Sequence, residues 1–371
     1  MRILHVSTIR EWRGGDNQML TTYNILKGHP ELSQVILCPE NSVLLQKCKD
    51  EGIPVYSAPK NSKFSLVFLK TIIRVIKKEN IDVLHVHDST ALTLSLLALR
   101  FLSKVKLVYS RKRNNRIKSN FFKKLKYNNP RITRIVCVSQ AVKDVLLPVL
   151  KNPEKAIVIY DGIDVNKFAN PTTTPNLRRE YRLKPDSILI GNIAGLTRQK
   201  DLFTFLDAAE IILKDNEDIN FVIVGEGPLG DELKDHAIKL GISDRVFFAG
   251  FRKEIPSILA EFDIFLISSE TEGLPLSVME AFAAKVPVVA TNAGGTGEAV
   301  KHGITGMISP TKEAGELAIN TKELLQNPTL RASIIENAFE LVQENFTLQV
   351  MEKEYLAFYK SLQVSEGSPR L

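Results

Sequence analysis

Residues 264–290 read IFLISSETEGLPLSVMEAFAAKVPVVA, and this stretch decides the fold class. Its two ends, 264–268 and 286–290, are short runs that are apolar throughout rather than alternating, which is typical of strands covered on both faces. Between them lies a polar loop, followed by an apolar segment with helical character that begins near Pro275. A strand, a helix and a second strand in this order predict a parallel βαβ unit.

The same alternation of short apolar runs and longer helix-like stretches extends over the whole chain. The sequence therefore predicts an α/β protein with two Rossmann-like domains, each built on a parallel sheet. The predicted strands of the first half are 3–7, 35–38, 83–87, 106–110, 135–139 and 156–160. Those of the second half are 188–193, 221–224, 246–249, 264–268, 286–290 and 306–308.

A polar, proline-flanked stretch without periodicity, NPTTTP at 170–175, predicts the junction between the domains. We therefore expect a first domain over 1–170 and a second domain over 171–346. The segment 347–371 contains a helical stretch, 352–362, whose aromatic side chains must pack against something, and a frayed tail from 364. A chain of 371 residues is long enough for two domains of ordinary size.

The composition excludes several classes of protein. With 44% hydrophobic and 25% charged residues, the chain is typical of a soluble globular protein rather than a disordered or fibrous one. No apolar run approaches the length needed to span a bilayer, and no secretory signal follows Met1. The three cysteines lack metal-ligand spacing, and Cys38 and Cys137 lie in apolar runs that predict small buried side chains. We therefore expect a cytoplasmic protein.

The net charge of +7 is unevenly divided between the two halves. Residues 1–170 carry 29 Lys and Arg against 13 Asp and Glu, whereas 171–371 carry 20 against 29. Such asymmetry predicts that the first domain faces an anionic partner, either nucleic acid or an anionic membrane. The highest local density of positive charge is RKRNNRIKSNFFKKLK at 111–126, with eight basic residues in sixteen and no acid.

This basic stretch predicts an amphipathic element on a membrane surface, because Phe121, Phe122 and Leu125 lie at helix-compatible spacing among its charges. The basic residues assigned to membrane or acceptor contacts are Arg111, Arg113, Lys123, Lys124 and Lys126. A nucleic-acid surface needs the same charges, but the chain lacks a recognised nucleic-acid-binding module. A solvated basic loop is the remaining alternative.

The loop and helix start within 268–281 form the strongest candidate site. Ligands of open α/β sheets bind beyond the carboxyl ends of the strands, where Glu272 and Gly273 are expected to lie. Free N–H groups at the helix start, together with the positive end of the helix dipole, suit a phosphate. Glu280 follows on the helix, where it could hold a ribose diol or lie exposed in solvent. Two carboxylates at this spacing favour a sugar-nucleotide site.

Other predicted strand ends carry weaker candidates. Glycine-containing loops that could offer backbone N–H groups to a ligand include Gly14, Gly15, Gly225 and Gly294. Lys200 follows the strand 188–193 and could reach a diphosphate as a point charge. Each of these features alone is equally typical of a tight turn or a solvated loop.

Three absent motifs narrow the chemistry further. The sequence has no Asp-x-Asp pair for a divalent metal on a nucleoside diphosphate, and no Gly-x-x-x-x-Gly-Lys-Ser/Thr phosphate loop. It also has no Gly-x-Gly-x-x-Gly in the first βα turn, which disfavours a dinucleotide dehydrogenase. We therefore predict no metal site, and Lys, Arg and helix ends would neutralise negative charge.

Several segments share one family pattern. The most specific is Glu272-x7-Glu280 within EGLPLSVMEAFAAKVPVVAT (272–291). The others are IDVLHVH (81–87), YDGID (160–164), GEGP (225–228), VFFAGF (246–251) and AGG (293–295). Together they resemble the retaining glycosyltransferases of family 4 over nearly the whole chain. The resemblance implies a GT-B fold, with two Rossmann-like domains facing across a cleft and a last helix that crosses back to the first domain.

The resemblance also implies roles for the two domains. The second would bind a nucleoside-diphosphate sugar, a UDP-sugar ahead of a GDP-sugar, and the first would bind the acceptor. Glu280 would hold the ribose hydroxyls and Glu272 the hydroxyls of the transferred sugar. Backbone contacts would come from Gly273 and Leu274 near the sugar and phosphate, Phe251 and Arg252 near the base, and Gly14 and Gly15 near the diphosphate.

Two positions depart from the family pattern. Many members have Arg-x4-Lys where this chain has Gly195 and Lys200, and Arg198 is the candidate substitute. Many also have a His after the strand that here ends near 110, whereas this chain continues with Arg111 and Lys112. In a front-face displacement the leaving diphosphate can accept the acceptor's proton. Lys200 and the Glu272 loop would then act by positioning and charge stabilisation.

We therefore expect a retaining, metal-independent hexosyltransferase without a cofactor. It would modify a glycan or glycolipid acceptor in cell-envelope polysaccharide or lipopolysaccharide synthesis, at the inner face of the plasma membrane. One alternative is a GT-B sugar-nucleotide epimerase, which would need acid–base carboxylates of its own. Another is a binding protein with a relic donor site. No nucleic-acid partner is expected.

Overall fold

The structure is a computed structural model that describes residues 1–12, 14–62, 64–102, 104–115, 121–171, 177–215 and 218–364. The chain divides into two compact units. The first comprises Met1–Tyr160 together with the chain from Met351 on, and the second is Asp161–Val350. Each unit contains a parallel sheet of its own, as the apolar strand pattern predicts.

The strands of the first unit are β1 (Arg2–Val6), β2 (Ser33–Pro39), β3 (Val55–Ala58), β4 (Val83–Val86), β5 (Lys106–Arg111), β6 (Ile132–Cys137) and β7 (Ala156–Val158). They pair in parallel in the order β3-β2-β1-β4-β5-β6-β7. The order reverses direction between the neighbours β1 and β4. In sheets of this kind, the carboxyl ends of two such strands border the ligand crevice.

The helices that follow these strands are α1 (Gly14–Leu26), α2 (Val43–Asp50), α3 (Leu66–Glu79), α4 (Ser89–Ala98), α5 (Phe121–Tyr127) and α6 (Gln140–Leu146). Four of them begin at a residue whose side chain accepts a first-turn N–H: Ser42, Ser65, Asp88 and Ser139. Such caps satisfy backbone donors that a helix start leaves unpaired, so they fix where each helix begins.

The second unit has the strands β8 (Ile188–Ile193), β9 (Ile219–Val224), β10 (Val246–Gly250), β11 (Ile264–Ile267), β12 (Val288–Thr291) and β13 (Met307–Ser309), in the order β10-β9-β8-β11-β12-β13. Its helices are α7 (Val165–Ala169), α8 (Leu177–Glu180), α9 (Leu202–Leu213), α10 (Gly230–Lys239), α11 (Ile255–Leu259), α12 (Leu276–Ala283), α13 (Thr296–Ala299), α14 (Ala314–Gln326) and α15 (Pro328–Asn345).

The last helix, α16 (Leu348–Val364), completes the core of the first unit from Met351 on. Its Tyr355, Phe358 and Tyr359 are buried in one cluster with side chains of β1, β4, β5 and β6. The aromatic stretch that the sequence predicts to need a packing partner therefore packs on the first unit.

Each strand predicted from the sequence overlaps a strand in the described residues. The strand β3 is missing from the prediction. It lies at the edge of its sheet and reads VYSA, with Val55, Tyr56 and Ser57 at least partly exposed. An edge strand is covered on fewer sides, so it carries no continuous apolar run.

The boundary between the units differs from the predicted boundary at 170/171, because residues 161–170 belong to the second unit. Ile163 donates its N–H to the Phe346 carbonyl over 2.8 Å and accepts from the Leu348 N–H over 3.1 Å. These bonds tie the segment to the end of α15 and the start of α16. Most of the predicted junction (172–175) and the predicted tail beyond 364 lie outside the described residues.

The three cysteines are buried and free, as the sequence predicts for Cys38 and Cys137. Burial raises the pKa of the Cys38 thiol to about 11 and that of the Cys137 thiol to about 12. Thiols of this kind are inert packing groups rather than nucleophiles. In the part of the chain that the structure describes, the helices are all too short or too polar to cross a membrane.

Candidate functional site

Loops after the neighbouring strands β8, β11 and β12 come together at the carboxyl end of the second unit's sheet. The Glu270 N–H, after β11, donates to the Gln199 carbonyl after β8 over 2.9 Å. On the other side, the Gly295 N–H, after β12, donates to the Glu272 carbonyl over 3.1 Å. The backbone around Glu272 is therefore held from both sides.

The two residues predicted for catalysis, Lys200 and Glu272, are in contact within this loop cluster. The Lys200 ammonium donates to Glu272 Oε1 over 2.6 Å, and the Ser269 hydroxyl donates to the same oxygen over 2.6 Å. The side chain of Lys200 is 27% exposed and that of Glu272 is 10% exposed. The pair is thus partly withdrawn from water, and its charges are less screened than on an open surface.

The helix α12 begins directly after Pro275, as the sequence predicts. Among the described residues, no side chain caps this helix start. The amides of the first turn therefore lack a side-chain acceptor, and they lie at the positive end of the helix dipole, where an anion is favoured. Gly273 and Leu274 immediately precede the cap position, with Gly273 partly exposed and Leu274 buried.

Glu280 lies further along α12 and is half-buried rather than fully exposed. Burial raises the pKa of its carboxyl to about 7, and the positive charge of Lys167 on α7 counteracts part of that rise. Near neutral pH the carboxyl therefore exists in both protonated and ionised forms. Such a group can both donate and accept hydrogen bonds. A freely solvated glutamate does not fit this environment.

The glycine turn after β9 packs closely against the loop after β8. Gly225 has a φ of +137°, and a Cβ there would lie 2.0 Å from the Ala194 carbonyl oxygen. At Gly227 a Cβ would lie 2.5 Å from the Leu196 carbonyl oxygen. Only glycine fits at these two positions. Close packing alone therefore explains why glycine occupies these two positions, and donor binding at Gly225 stays a prediction.

Phe251 and Arg252, predicted to lie near a base, directly follow β10. The Phe251 ring is 65% exposed, and its N–H donates to Glu226 Oε1 over 3.3 Å. The Arg252 guanidinium donates to the Ala249 carbonyl over 2.9 Å and to Glu180. The Arg252 side chain is therefore anchored to its own unit, and the Phe251 N–H already has an acceptor. A contact of this backbone with a base stays a prediction.

Gly195, which departs from the family pattern at the donor side, and Arg198, its candidate substitute, are both exposed. A Cβ at Gly195 would meet nothing closer than the Glu226 carbonyl oxygen at 3.8 Å. Arg198 opens a 3₁₀ turn that ends at Lys200, and its side chain forms no hydrogen bond or ion pair with another described residue. Gly294 has a φ of +57° in the turn before α13.

In the first unit, Gly14 and Gly15 form the start of α1. The Lys112 ammonium, after β5, donates to the Gly15 carbonyl over 2.8 Å. The loops after β1 and β5 therefore meet at the carboxyl edge of the sheet, where β4 lies between the two strands. A diphosphate contact from Gly14 and Gly15 stays a prediction.

The basic stretch 111–126 is not one amphipathic element. Arg111 ends β5 and is buried, and its guanidinium donates to the Asn115 carbonyl over 2.8 Å. The Lys126 ammonium bonds the hydroxyls of Ser89 and Thr93 on α4 at 2.9 and 2.6 Å, and burial lowers its pKa to about 8. Arg111 is therefore buried instead of surface-exposed, and Lys126 is held against α4. An acceptor or membrane contact at either residue stays a prediction. Residues 116–120 lie outside the described ranges.

The other members of the stretch that the structure describes are at least partly exposed. Three apolar side chains protrude from α5: Phe121 is 74% exposed, Phe122 78% and Leu125 61%. Arg113 and Lys124 are exposed, and Lys123 is half-buried. This helix therefore presents apolar and basic side chains side by side on the surface of the first unit.

A cluster of three buried histidines in the first unit is absent from the sequence predictions. His5 on β1 pairs with His85 on β4, and His87 lies two residues further, so all three side chains share one face of the sheet. His5 Nδ1 lies 3.0 Å from His87 Nε2. The two ring nitrogens of His85 contact the Tyr359 and Ser110 hydroxyls at 2.7 and 2.8 Å. The spacing His85-x-His87 predicts that these two side chains lie on one face of a strand. The pairing of β1 with β4, which brings His5 to them, has no local sequence signal.

Burial makes the first unit sensitive to acid through this cluster. It lowers the pKa of His5 to about 4 and the pKa values of His85 and His87 well below 6.5. Below about pH 6.5 the unfolded chain binds more protons than the folded chain. The contribution of these histidines to stability is therefore complete above that pH and decreases as the pH falls toward 4. We expect a loss of about 1.4 kcal/mol per pH unit for each histidine.

The fluorescence of Trp12, the one tryptophan of the chain, reports unfolding of the first unit alone. This choice of probe matters because Glu280, whose raised pKa gives the opposite pH dependence, lies in the second unit. Urea unfolding followed at about pH 7.5, 6 and 5 measures the effect. A midpoint that stays constant between these values would contradict the prediction.

Two family models match this chain. Residues 173–341 match the model described as "Glycosyl transferases group 1", and residues 24–167 match the model described as "Glycosyltransferase Family 4". One match therefore falls mainly in each unit, and the two leave only short segments unmatched.

Relatives and solved structures agree with these matches. The UDP-Gal:alpha-D-GlcNAc-diphosphoundecaprenol alpha-1,3-galactosyltransferase of Escherichia coli is 28% identical over 326 residues, 83% of this chain and 84% of that protein. The N-acetyl-alpha-D-glucosaminyl L-malate synthase of Bacillus anthracis is 25% identical over 317 residues, 82% and 81%. Anabaena HepE, solved with UDP and glucose, has a TM-score of 0.84 at 21% identity, over 97% of this chain and 100% of that chain. That likeness shows a shared fold. With one family model matched in each of its two parallel-sheet units, this chain belongs to the family 4 glycosyltransferases, which have the GT-B fold.

Proposed function

We propose that this chain transfers a hexose-type sugar from a nucleoside-diphosphate sugar to a glycan or lipid-linked glycan in cell-envelope polysaccharide or lipopolysaccharide synthesis. The observation that carries the proposal is the Lys200–Glu272 pair beside the uncapped start of α12. A cation, a carboxylate and a helix N-terminus together suit a sugar that bears a diphosphate. The Escherichia coli relative is named for UDP-galactose and a diphosphoundecaprenol-linked acceptor. That name favours a UDP-sugar ahead of a GDP-sugar, and a lipid-linked acceptor.

In the proposed donor site, Lys200 neutralises charge on the departing diphosphate, assisted by Arg198 and by the amides of Gly273 and Leu274. These groups replace a divalent metal as the source of positive charge, which fits the absence of an Asp-x-Asp pair from the sequence. Glu272, fixed by Lys200 and by the Ser269 hydroxyl, accepts hydrogen bonds from hydroxyls of the transferred sugar.

The nucleoside end of the donor occupies the remaining predicted positions. Glu280 holds the ribose hydroxyls, and its pKa of about 7 lets it act as donor or acceptor. The backbone at Phe251 and Arg252 contacts the base. Gly294 lies in the turn between β12 and α13 and contributes to the choice of sugar, because the orientation of one sugar hydroxyl changes the hydrogen bonds that the site can make.

The proposed reaction retains the configuration of the sugar. The bond between the anomeric carbon and the diphosphate oxygen breaks while the acceptor oxygen forms its bond on the same face. The proton of the acceptor hydroxyl passes to the leaving diphosphate, so no side-chain base is needed. The protein contributes positioning and stabilisation of the departing negative charge.

Binding of nucleoside diphosphates in the presence of EDTA tests the donor site. We expect UDP at about 100 times its Kd to stabilise the second unit by roughly 2.7 kcal/mol and to raise its Tm by roughly 5–10 °C, ahead of GDP and ADP. Glu280→Gln should reduce this shift, because it removes a ribose partner. Glu340→Gln, at an exposed glutamate on α15, should not. If no nucleoside diphosphate raises the Tm, the result would favour the alternative of a binding protein with a relic donor site.

Transfer itself is measured with labelled UDP-sugars and a synthetic GlcNAc-diphospho-lipid. Label that moves to the lipid supports a transferase. Epimerised nucleotide sugar in the absence of lipid supports the epimerase alternative. The anomeric configuration of the product, compared with that of the donor, decides whether the reaction is retaining.

For the acceptor side, we propose peripheral contact of the first unit with an anionic membrane at its cytoplasmic face. The support is α5, where Phe121, Phe122 and Leu125 are exposed beside Lys123 and Lys124. Aromatic and aliphatic side chains insert at the boundary between head groups and acyl chains, while basic side chains contact anionic head groups. A lipid-linked acceptor would be presented at the same surface.

Replacing Phe121 and Phe122 with Ser should lower partitioning to anionic phosphatidylglycerol vesicles by about tenfold or more, because two exposed aromatic side chains no longer insert. Vesicle sedimentation measures the partitioning. Ile238→Ser is the matched control, since Ile238 is also 63% exposed but lies on α10 of the second unit. Equal partitioning of the Phe121→Ser/Phe122→Ser variant and the wild type would refute the membrane role of α5.

A further inference from the structure

One ring nitrogen of the histidine cluster, Nδ1 of His87, is buried without a hydrogen-bond partner among the described residues. A buried polar atom without a hydrogen-bond partner costs stability. An unpaired nitrogen in a native core therefore points to a partner that is not part of this chain, such as a bound ligand. His87 is 8% exposed, whereas His5 and His85 have no exposed surface. Of the three histidines, His87 is therefore the one that reaches the surface.

The hydrogen bonds behind His87 fix which of its nitrogens carries the proton. Gln34 donates through Nε2 to the Tyr23 carbonyl over 3.0 Å, so its Oε1 faces His5 Nε2 at 3.0 Å. An amide oxygen only accepts, so His5 Nε2 carries a hydrogen and, in a neutral ring, His5 Nδ1 carries a lone pair. His87 Nε2 must then donate to His5 Nδ1 over 3.0 Å. This leaves a lone pair on His87 Nδ1.

The same bonds argue against a metal ion in the cluster, although ligand nitrogens of the three rings lie within 4.8 Å of one another. The lone pair of His5 already accepts from His87, and both nitrogens of His85 are engaged by hydroxyls. Only His87 Nδ1 offers an unused lone pair, and a metal site in a protein needs about three or four ligands. One free lone pair instead suits a single hydrogen-bond donor.

His87 lies where a ligand of the first unit is expected. It directly follows β4, and its N–H donates to the Val6 carbonyl at the end of β1 over 3.0 Å. These are the two strands between which the strand order reverses, the place where ligands bind in open parallel sheets. On the other side of β4, Lys112 reaches the Gly15 carbonyl, and its charge adds to burial in lowering the pKa of His87.

We propose that His87 binds a hydroxyl group of the acceptor sugar through Nδ1, which accepts a hydrogen bond, and that Gln34 and His5 hold the imidazole in the tautomer that this requires. The class of acceptor rests on the proposed function. A hydroxyl that donates its hydrogen to Nδ1 cannot give it to the leaving diphosphate at the same time. The hydroxyl that His87 binds is therefore a neighbour of the reacting hydroxyl, whose own proton passes to the diphosphate. His87 would then supply, from β4, a histidine contact in a chain that lacks the histidine expected after β5.

Side-chain NMR of the six histidines, labelled with ¹⁵N, tests the tautomer without any substrate. We expect His87 at pH 7 to show a hydrogen on Nε2 and an unprotonated, pyridine-type Nδ1. Loss of its signals in His87→Gln gives the assignment. A hydrogen on Nδ1 overturns the proposal, whatever the acceptor is.

Kinetics with the GlcNAc-diphospho-lipid give a second readout through a matched pair of variants. Gln places its amide near the position of Nε2 and keeps the bond to His5, whereas Asn places its amide near Nδ1 and keeps an acceptor there. We expect His87→Gln to raise the KM for the lipid about tenfold and to leave the KM for the UDP-sugar unchanged. His87→Asn should raise the KM for the lipid less, while lowering Tm more.

A purely structural role predicts the reverse order of the two variants, with His87→Asn the worse enzyme. A buried water at Nδ1 predicts no change specific to the acceptor. Either result overturns the proposal. A wild-type chain that transfers nothing to this lipid counts against the proposed acceptor class. In contrast, an active wild type with an unaffected His87→Gln variant counts against His87 itself.

Discussion

Replacing Lys200 with Met is expected to lower kcat/KM for sugar transfer by about 10²- to 10³-fold. The ammonium lies 2.6 Å from Glu272 Oε1 and the Lys200 side chain is 27% exposed, so its charge acts in a partly desolvated site. In the proposed reaction, negative charge on the diphosphate grows as the bond to the sugar breaks. The loss should therefore fall mainly on kcat, with a smaller rise in the KM for the donor. Steady-state kinetics with the nucleotide sugar selected by the binding experiment measure both.

Lys312 provides a matched control in the same unit. Its ammonium pairs with Glu270 over 3.1 Å, two residues from Glu272, but the two side chains are 65% and 40% exposed. Lys312→Met removes the same charge from an open ion pair and should change kcat/KM by less than about threefold. Comparable losses in the two variants would mean that charge near the loop matters in general and that Lys200 has no special contact with the diphosphate.

The carboxylate partner allows a further check on the pair. Because Lys200 and Glu272 are in contact, we expect them to act as one unit. The double variant Lys200→Met/Glu272→Gln should then be about as active as the less active of the two single variants. Losses that multiply would indicate that the two side chains act independently, despite their 2.6 Å contact.

Gly225→Ala is expected to destabilise the second unit by about 3 kcal/mol or more. The residue has a φ of +137°, which side chains rarely tolerate, and the added Cβ would lie 2.0 Å from the Ala194 carbonyl oxygen. The obstacle is backbone, so relief requires the loops after β8 and β9 to separate. For a unit of this size the loss corresponds to a decrease in Tm of roughly 6–12 °C, measured by calorimetry.

Gly195→Ala is the control for this substitution, because it lies in the facing loop. A Cβ there has its nearest neighbour at 3.8 Å, an ordinary contact, so the change in stability should stay within about 0.5 kcal/mol. If Gly225→Ala were as stable as Gly195→Ala, the close packing of the two loops would be refuted, and with it the structural explanation for glycine at 225.

The parallel sheets are the most predictable feature of this chain, because a strand buried on both faces must be apolar along its length. The strand β3, which the sequence analysis misses, is explained by the same relation between burial and apolar sequence. It lies at a sheet edge and keeps partly exposed residues, so its sequence contains no apolar run. The start of α12 after Pro275 is equally predictable, because a polar loop and a proline separate the apolar run of β11 from the apolar helix that follows.

The candidate site is predictable residue by residue but not in its assembly. Glu272 and Lys200 each follow a recognisable strand, yet their contact depends on β8 and β11 being neighbours in the sheet. No local pattern contains that information. The same limit applies to the position of the Lys126 side chain. Its surroundings in sequence are as basic as those of Lys124, and only Ser89 and Thr93, which are 37 and 33 residues away, hold its side chain against α4.

The packing of α16 on the first unit has a consequence for how the chain folds during synthesis. The second unit, Asp161–Val350, is continuous in sequence, so all of it has been made before Met351 is added. The first unit waits for Met351, Tyr355 and Tyr359 to cover one face of its sheet. The half that is translated first is therefore the half that completes its core last. In that interval we expect its uncovered, apolar sheet face to be open to aggregation and to chaperones.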